Sequence, residues 1–198
     1  MPDASSIAVR IAIFASGTGT NAQKIIDHFR KREDVHVALI LSNNPAAGVL
    51  KIAEQENIPS IVIEKDGFFR SELYVQLLQE KKIEWIVLAG FLWKVPLSML
   101  RAFPHRIINI HPALLPKYGG KGMYGARVHE AVLAAHDKES GITIHYVDEL
   151  YDHGKIIFQA TCPVTENDDP DSLAKKIHAL EYEHFPRVID KLTAQKYS

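Results

Sequence analysis

Disulfides, charge bias and long apolar runs are all scarce in this chain, and each shortage excludes a class of protein. Cys162 is the one cysteine among 198 residues, so an internal disulfide framework is ruled out. It sits in an apolar stretch and reads as a small core side chain rather than a nucleophile. Lys and Arg number 23 against 24 Asp and Glu, a formal net charge of -1. That balance lacks the basic footprint of broad duplex nucleic-acid binding, so an anionic ligand has to be held locally. No apolar run reaches the ~18 residues of a membrane-spanning candidate, and charge runs stop at a few residues, so neither a membrane partner nor a charged tail is expected. Met1 to Ser6 is polar, without the basic and then apolar order of a secretory leader, which makes cytoplasmic the expected address. What remains is a composition 46% apolar and 24% charged, enough for one core. A single domain over residues 1–198, acting on small molecules, is the reading; oligomeric state is open.

Strands and helices alternate along the chain. Ile7 to Phe14 is apolar apart from Arg10, as in a strand buried on both faces. It runs into Ser16-Gly17-Thr18-Gly19-Thr20-Asn21. Ala22, Ile25, Ile26 and Phe29 then follow helical spacing, with Thr20 or Asn21 as the predicted cap. Val35 to Leu41 reads as a second strand, Pro45 as the start of a helix carrying Val49, Ile52 and Ala53, and Ser60 to Ile63 as a third strand. A helix from Phe69 to Glu80, a strand Trp85 to Ala89, a short helix near Leu97 to Ala102 and a strand Arg106 to Ile110 follow. Ile142, Ile144 and Tyr146 alternate with polar residues, and a further run spans Ile156 to Val164. A last helix starts near Asp171, with Pro186 expected to kink or interrupt it. These elements predict an α/β fold: a doubly wound, open, mostly parallel sheet with helices on both faces and a late antiparallel strand addition.

Three constellations could carry chemistry. The glycine loop before the first helix offers backbone donors and a helix N-terminus to an anion, phosphate above all, although an ordinary tight connection has the same look. Gly17, Gly19 and Ala22 fit the loose dinucleotide pattern, but Ser42-Asn43-Asn44 stands where an acidic ribose ligand is expected. Asn109 and His111, two apart at a strand's carboxyl end, project side by side where open α/β sheets hold ligands, and a structural histidine remains an alternative. Asp148 to Gly154 is an acidic loop that, taken alone, reads as a solvated turn rather than a site. A zinc site is not supported, because Leu133 follows His129-Glu130 where a second histidine would complete the helical motif.

Ser16-Gly17-Thr18-Gly19-Thr20-Asn21, Leu88-Ala89-Gly90-Phe91, the run Asn109-Ile110-His111-Pro112-Ala113-Leu114-Leu115-Pro116-Lys117-Tyr118 and the segment His145 to Gly154 together resemble the phosphoribosylglycinamide formyltransferase family, folate-dependent enzymes of purine synthesis. The likeness covers nearly the whole chain. It implies Asn109, His111 and Asp152 as the catalytic trio, Asp152 being chosen over Asp148 because it lies seven residues after His145 and two before Gly154. It implies Gly19, Thr20 and Asn21 at the ribonucleotide phosphate, Glu181 at the glycinamide and ribose portion, and a folate pocket lined by Leu88, Ala89, Gly90, Phe91, Leu92 and Leu150. The implied cosubstrate is 10-formyltetrahydrofolate, with no metal. Three positions depart from the family pattern: Trp93-Lys94 where an arginine is common, a longer glycine-rich segment from Gly119 to Gly125, and His153 for a common glycine.

The implied chemistry is attack of the glycinamide amine on the formyl carbon. The Asn109 amide and a His111 imidazolium would answer charge on oxygen, and Asp152 would steady the imidazolium and help remove the amine proton. Other readings are a formyltetrahydrofolate deformylase-like hydrolase, a nicotinamide-dependent oxidoreductase and a non-catalytic nucleotide-binding module. Methionyl-tRNA formyltransferases usually carry an additional C-terminal domain and the deformylases an N-terminal one; at 198 residues room for neither is expected.

Overall fold

The computed structural model describes residues 8–194. Ile7 and the polar stretch Met1 to Ser6 lie outside the described residues. Seven strands form one sheet in the order β3-β2-β1-β4-β5-β6-β7. The first five are β1 (Val9–Phe14), β2 (Val35–Ser42), β3 (Ser60–Val62), β4 (Trp85–Leu88) and β5 (Ile107–His111), all paired in parallel. β6 (Glu139–Tyr146) then runs antiparallel to β5, and β7 (Ile156–Pro163) antiparallel to β6. The expected late antiparallel addition is therefore a two-strand ribbon on an otherwise parallel sheet.

Side-chain alternation in the strands builds two cores. On β1, Val9, Ile11 and Ile13 belong to one apolar cluster and Ala12 and Phe14 to the other. The first cluster takes in α1 (Thr20–Phe29), α2 (Gly48–Gln55) and α7 (Pro170–Ala194). The second takes in α3 (Lys65–Arg70), α4 (Leu73–Glu80) and α5 (Leu97–Ala102). Helices thus cover both faces, as a sheet apolar on both sides requires. Among the described residues no helix is long and apolar enough to cross a membrane.

Several boundaries differ from the sequence reading. The predicted helix from Phe69 to Glu80 is two helices, because Ser71 is extended (φ -140, ψ 171) between them. Its hydroxyl donates to the Gly67 carbonyl at 2.7 Å and accepts from the Leu73 N–H at 3.3 Å, giving the chain a local alternative to helix. Pro45 does not open α2. Asn44 accepts from the Ala46 N–H at 3.0 Å and holds a turn, and the helix starts three residues past the proline. Pro186 neither ends nor divides α7, which is helical throughout Pro170–Ala194. The buried stripe Ile177, Glu181, Phe185, Val188 and Ile189 outweighs one missing backbone bond. At its start Asp169 accepts the Ser172 N–H at 2.7 Å while the Ser172 hydroxyl accepts from the Asp169 N–H at 3.0 Å, a reciprocal cap with Pro170 at the first turn. α6 (Ala126–Ala134) carries only Val128, His129 and Val132 as buried residues, too short a stripe for periodicity to reveal.

Candidate active site

The strand order reverses at β1, between β2 and β4, and the loops leaving β1, β4 and β5 open on the same end of the sheet, the position where doubly wound folds bind ligands. A cavity of about 590 Å³ occupies that end. Its floor is the Ser16–Asn21 loop, the Ala89–Leu92 turn and Asn109 to Pro112; α6, α7 and the Gly120–Gly125 segment wall it. A smaller cleft of about 60 Å³ adjoins it, sharing Phe91, Asn109, Tyr151 and Asp152 and adding Leu88, Trp93, His145 and Leu150. The structure thus places Gly19, Thr20, Asn21, Glu181, Ala89, Gly90, Phe91, Leu92, Asn109, His111 and Asp152 around the main cavity. Leu88 and Leu150 lie on the cleft.

The loop after β1 is built differently from its sequence reading. Neither Thr20 nor Asn21 caps α1: the cap position is Gly19, with φ 83 and no side-chain cap bond. A Cβ on Gly19 would stand 2.8 Å from Val49 Cα and 2.9 Å from Ile52 Cδ1. This glycine is therefore required by close packing on α2 as well as by its left-handed backbone, whereas a Cβ on Gly17 meets nothing within 4 Å. Asn21 turns its amide to α7 and donates to Glu181 Oε2 at 3.0 Å. Burial pushes the Glu181 carboxyl up to about 7, against the pull of that Asn21 hydrogen bond.

Asn109 and His111 leave the end of β5 on one side, as period two demands. Antiparallel pairing sets Asn109 opposite His145, and the Asn109 amide donates to His145 Nε2 at 3.1 Å. His145 Nδ1 donates to the Tyr146 carbonyl at 2.8 Å. A carbonyl can only accept, so neutral His145 keeps a lone pair on Nε2 and fixes the Asn109 amide with its nitrogen inward. The second Asn109 N–H faces Asp152 Oδ1 at a long 3.4 Å. By the same logic His111 Nε2 donates to the Tyr118 carbonyl at 2.8 Å, leaving Nδ1 toward Asp152 Oδ2 at 3.5 Å. Asp152 has φ 52 and also accepts the Gly120 N–H at 3.0 Å.

Electrostatics follow from this enclosure. His111 is 3% exposed, and burial pushes its imidazole below the ordinary range, partly offset by Asp152. Burial acts to raise the Asp152 carboxyl, but the His145 ring at 3.7 Å, His111 and the Gly120 N–H together hold it below its usual value. At neutral pH the resting pair is a carboxylate beside a neutral imidazole. The sequence reading anticipates the trio but not His145, His129, His178 or the Tyr118 carbonyl. His145 was legible as an inward position of an alternating strand; α6, which carries His129, left no periodic signal.

The formyl transferase family model matches residues 9–189. The chain belongs to that family. Among curated relatives, the chloroplastic phosphoribosylglycinamide formyltransferase of Arabidopsis thaliana is 38% identical over 94% of this chain and 66% of its own length. The trifunctional purine biosynthetic protein adenosine-3 of Drosophila melanogaster is 40% identical over 92% of this chain. The chain spans about two thirds of the first of these and 14% of the second. The phosphoribosylglycinamide formyltransferase of Bacillus subtilis is 35% identical, over 92% of this chain and 94% of its own. The crystal structure of phosphoribosylglycinamide formyltransferase from Bacillus halodurans superposes with a TM-score of 0.83 at 38% identity, covering 92% of this chain and 94% of that one. Glycinamide ribonucleotide transformylase 1 from Geobacillus kaustophilus gives 0.84 at 35%, covering 94% and 99%.

Proposed function

We propose that this formyl transferase moves the formyl group of 10-formyltetrahydrofolate to the primary amine of glycinamide ribonucleotide. The observation that carries the reading is the joining of two unlike ends in one cavity: an uncharged glycine loop with free backbone donors, and the Asn109, His111 and Asp152 group beside an apolar cleft. The loop at Gly19, Thr20 and Asn21 holds the phosphate, and Glu181 faces the ribose and glycinamide portion. The pterin ring takes the cleft at Leu88, Phe91 and Leu150 together with the adjoining side of the main cavity at Ala89, Gly90 and Leu92. Gly90 has φ 77 and open space where a Cβ would stand, so a flat ring can lie against that turn.

The amine nitrogen bonds to the formyl carbon, and the carbonyl electron pair moves onto oxygen. The Asn109 N–H not bonded to His145 makes only a long 3.4 Å contact to Asp152, and turning from that carboxylate it becomes the donor to the oxygen. In the resting protein His111 Nε2 is held by the Tyr118 carbonyl, and Nδ1 faces the Asp152 carboxylate with no hydrogen between them. His111 therefore answers the oxyanion only after its Nε2 exchanges the Tyr118 carbonyl for the formyl oxygen, and the charged donor forms during the reaction, when Nδ1 gains the amine proton by way of Asp152. The amine proton passes to the Asp152 side, directly or through water. The intermediate then collapses: the carbonyl re-forms, the bond from formyl carbon to folate nitrogen breaks, and that nitrogen leaves with its electron pair and takes up the same proton, returned from the His111 and Asp152 pair.

The test is incubation with both substrates while following tetrahydrofolate release by absorbance. Release that requires the ribonucleotide and yields its N-formyl product supports the reading. Release at the same rate without the amine would instead make the protein a hydrolase of the deformylase kind.

A further inference from the structure

The cavity holds a second polar group that takes no part in the bond-making steps above. Asn21 on α1, His129 on α6 and His178 and Glu181 on α7 line it. Among the described residues, Asn21 Oδ1 and His129 Nδ1 are buried with no partner. His129 is 4% exposed. Its Nε2 also has no protein partner and is not enclosed like Nδ1, so Nε2 is the nitrogen open to the cavity. A buried N–H without an acceptor is rarer than a bare lone pair. Neutral His129 therefore carries its hydrogen on Nε2 and aims a donor inward. His178 stands at the exposed mouth, its ring stacked on Tyr182 at 5.8 Å.

The charges facing this group are few. No arginine lines the cavity, and its one lysine, Lys121, is exposed on the glycine-rich segment. Lys24 of α1 lies over the Tyr182 ring at 5.6 Å, and Arg127 of α6 over Tyr124 at 5.4 Å. Glu181 faces the cavity from α7, while His111 and Asp152 sit at the other end. A phosphate monoester here meets backbone donors but no fixed guanidinium. Burial pushes the His129 imidazole down, with His178 adding to it, and burial does the same to His178. Both are therefore neutral at pH 7 in the free protein.

Resting on the ribonucleotide reading above, we propose that His129 and His178 are the side-chain ligands of the substrate's phosphate, His129 as a neutral Nε2–H donor and His178 as the ring that becomes charged only when the phosphate binds, so that the site takes up one proton together with its ligand. A dianion beside an imidazole favours the protonated ring. Affinity must then fall as pH rises, by tenfold per pH unit for each proton taken up.

The probe is ribose 5-phosphate, whose phosphate stays dianionic above about pH 7 because its second pKa is ~6. Calorimetric titration between pH 7.0 and 8.5, in two buffers of different ionisation enthalpy, should show Kd weakening roughly tenfold per unit and a buffer-dependent heat equal to about one proton. His178→Gln and His129→Gln should each bind more weakly, and His178→Gln should abolish the pH dependence, while both raise the ribonucleotide KM with kcat nearly kept. A Kd flat across this range, equal heats in both buffers, or unchanged Kd in both variants overturns the proposal. Formyl transfer by the same preparations separates the two readings: transfer intact with flat binding removes only the proton-coupled site, and absence of transfer at every pH removes both.

Discussion

The two ends of the cavity are built on opposite rules. At the reactive end Asn109, His111, His145 and Asp152 satisfy one another and two backbone carbonyls before any ligand is present. At the phosphate end Asn21 Oδ1 and His129 Nδ1 lack partners, and Glu181 is a carboxyl buried beside a single amide. Pre-satisfied groups hold geometry, which the chemical step needs. Unsatisfied ones cost stability in the free protein. The first end should therefore govern kcat and the second KM and stability.

The sharpest way to break that contrast is at His111 and Asp152. His111→Asn and Asp152→Asn should each lower kcat on the order of 10² to 10⁴, and the double variant should be scarcely worse than the worse single one. His111 is buried, so melting temperatures have to accompany the rates; full additivity would separate the two residues. Asn109→Ala should cost on the order of 10² to 10³ in kcat by removing a donor to the oxyanion. Single-turnover rates at saturating substrates measure this, and a pure KM effect would move Asn109 to the binding end.

The loop glycines sharpen the contrast from the other side. Gly19→Ala drives a Cβ into Val49 and should destabilise the fold by about 1–3 kcal/mol through overpacking, beyond its left-handed backbone cost. Gly17→Ala has open space and should leave the melting temperature alone while raising the ribonucleotide KM. Equal thermal shifts in the two variants would contradict the packing role of Gly19.

The smallest effect is expected at Glu181. Its carboxyl is raised to about 7 above the unfolded value, so folding disfavours its charged form, and stability from this group declines as pH rises from the unfolded pKa through about 7. Glu181→Gln should therefore melt higher than the parent at pH 8, by a few °C, and show no gain at pH 4. It should also raise the ribonucleotide KM. Asp152 and His111 act in the reverse sense: both are depressed in the fold, so each contributes stability at neutral pH that is lost on acidification.

Much of this was legible in the sequence where side chains obey a short period. β1, β2, β4 and β5 were readable from apolar runs, and the shared side of Asn109 and His111 from strand period alone. Asp152 was not: it lies in a loop at φ 52, and only family resemblance picked it from its acidic neighbours. The join of Asn109 to His145 depends on antiparallel register across 36 residues, which no local pattern encodes. The phosphate end gathers residues from three helices; α6 is too short to show a stripe, and His178 belongs to no apolar pattern.

The Tyr118 carbonyl gives the active site an internal competitor. An acceptor on a substrate or inhibitor that seeks His111 Nε2 displaces a backbone oxygen already held at 2.8 Å, rather than a loosely held solvent molecule. Part of its binding energy, about 1 kcal/mol for an ordinary hydrogen bond, is thereby cancelled. A compound whose own donor receives the freed Tyr118 oxygen while its acceptor takes His111 would escape that discount, since it exchanges one bond for two. Selectivity for this chain can thus be sought in a main-chain atom, which side-chain substitution cannot remove.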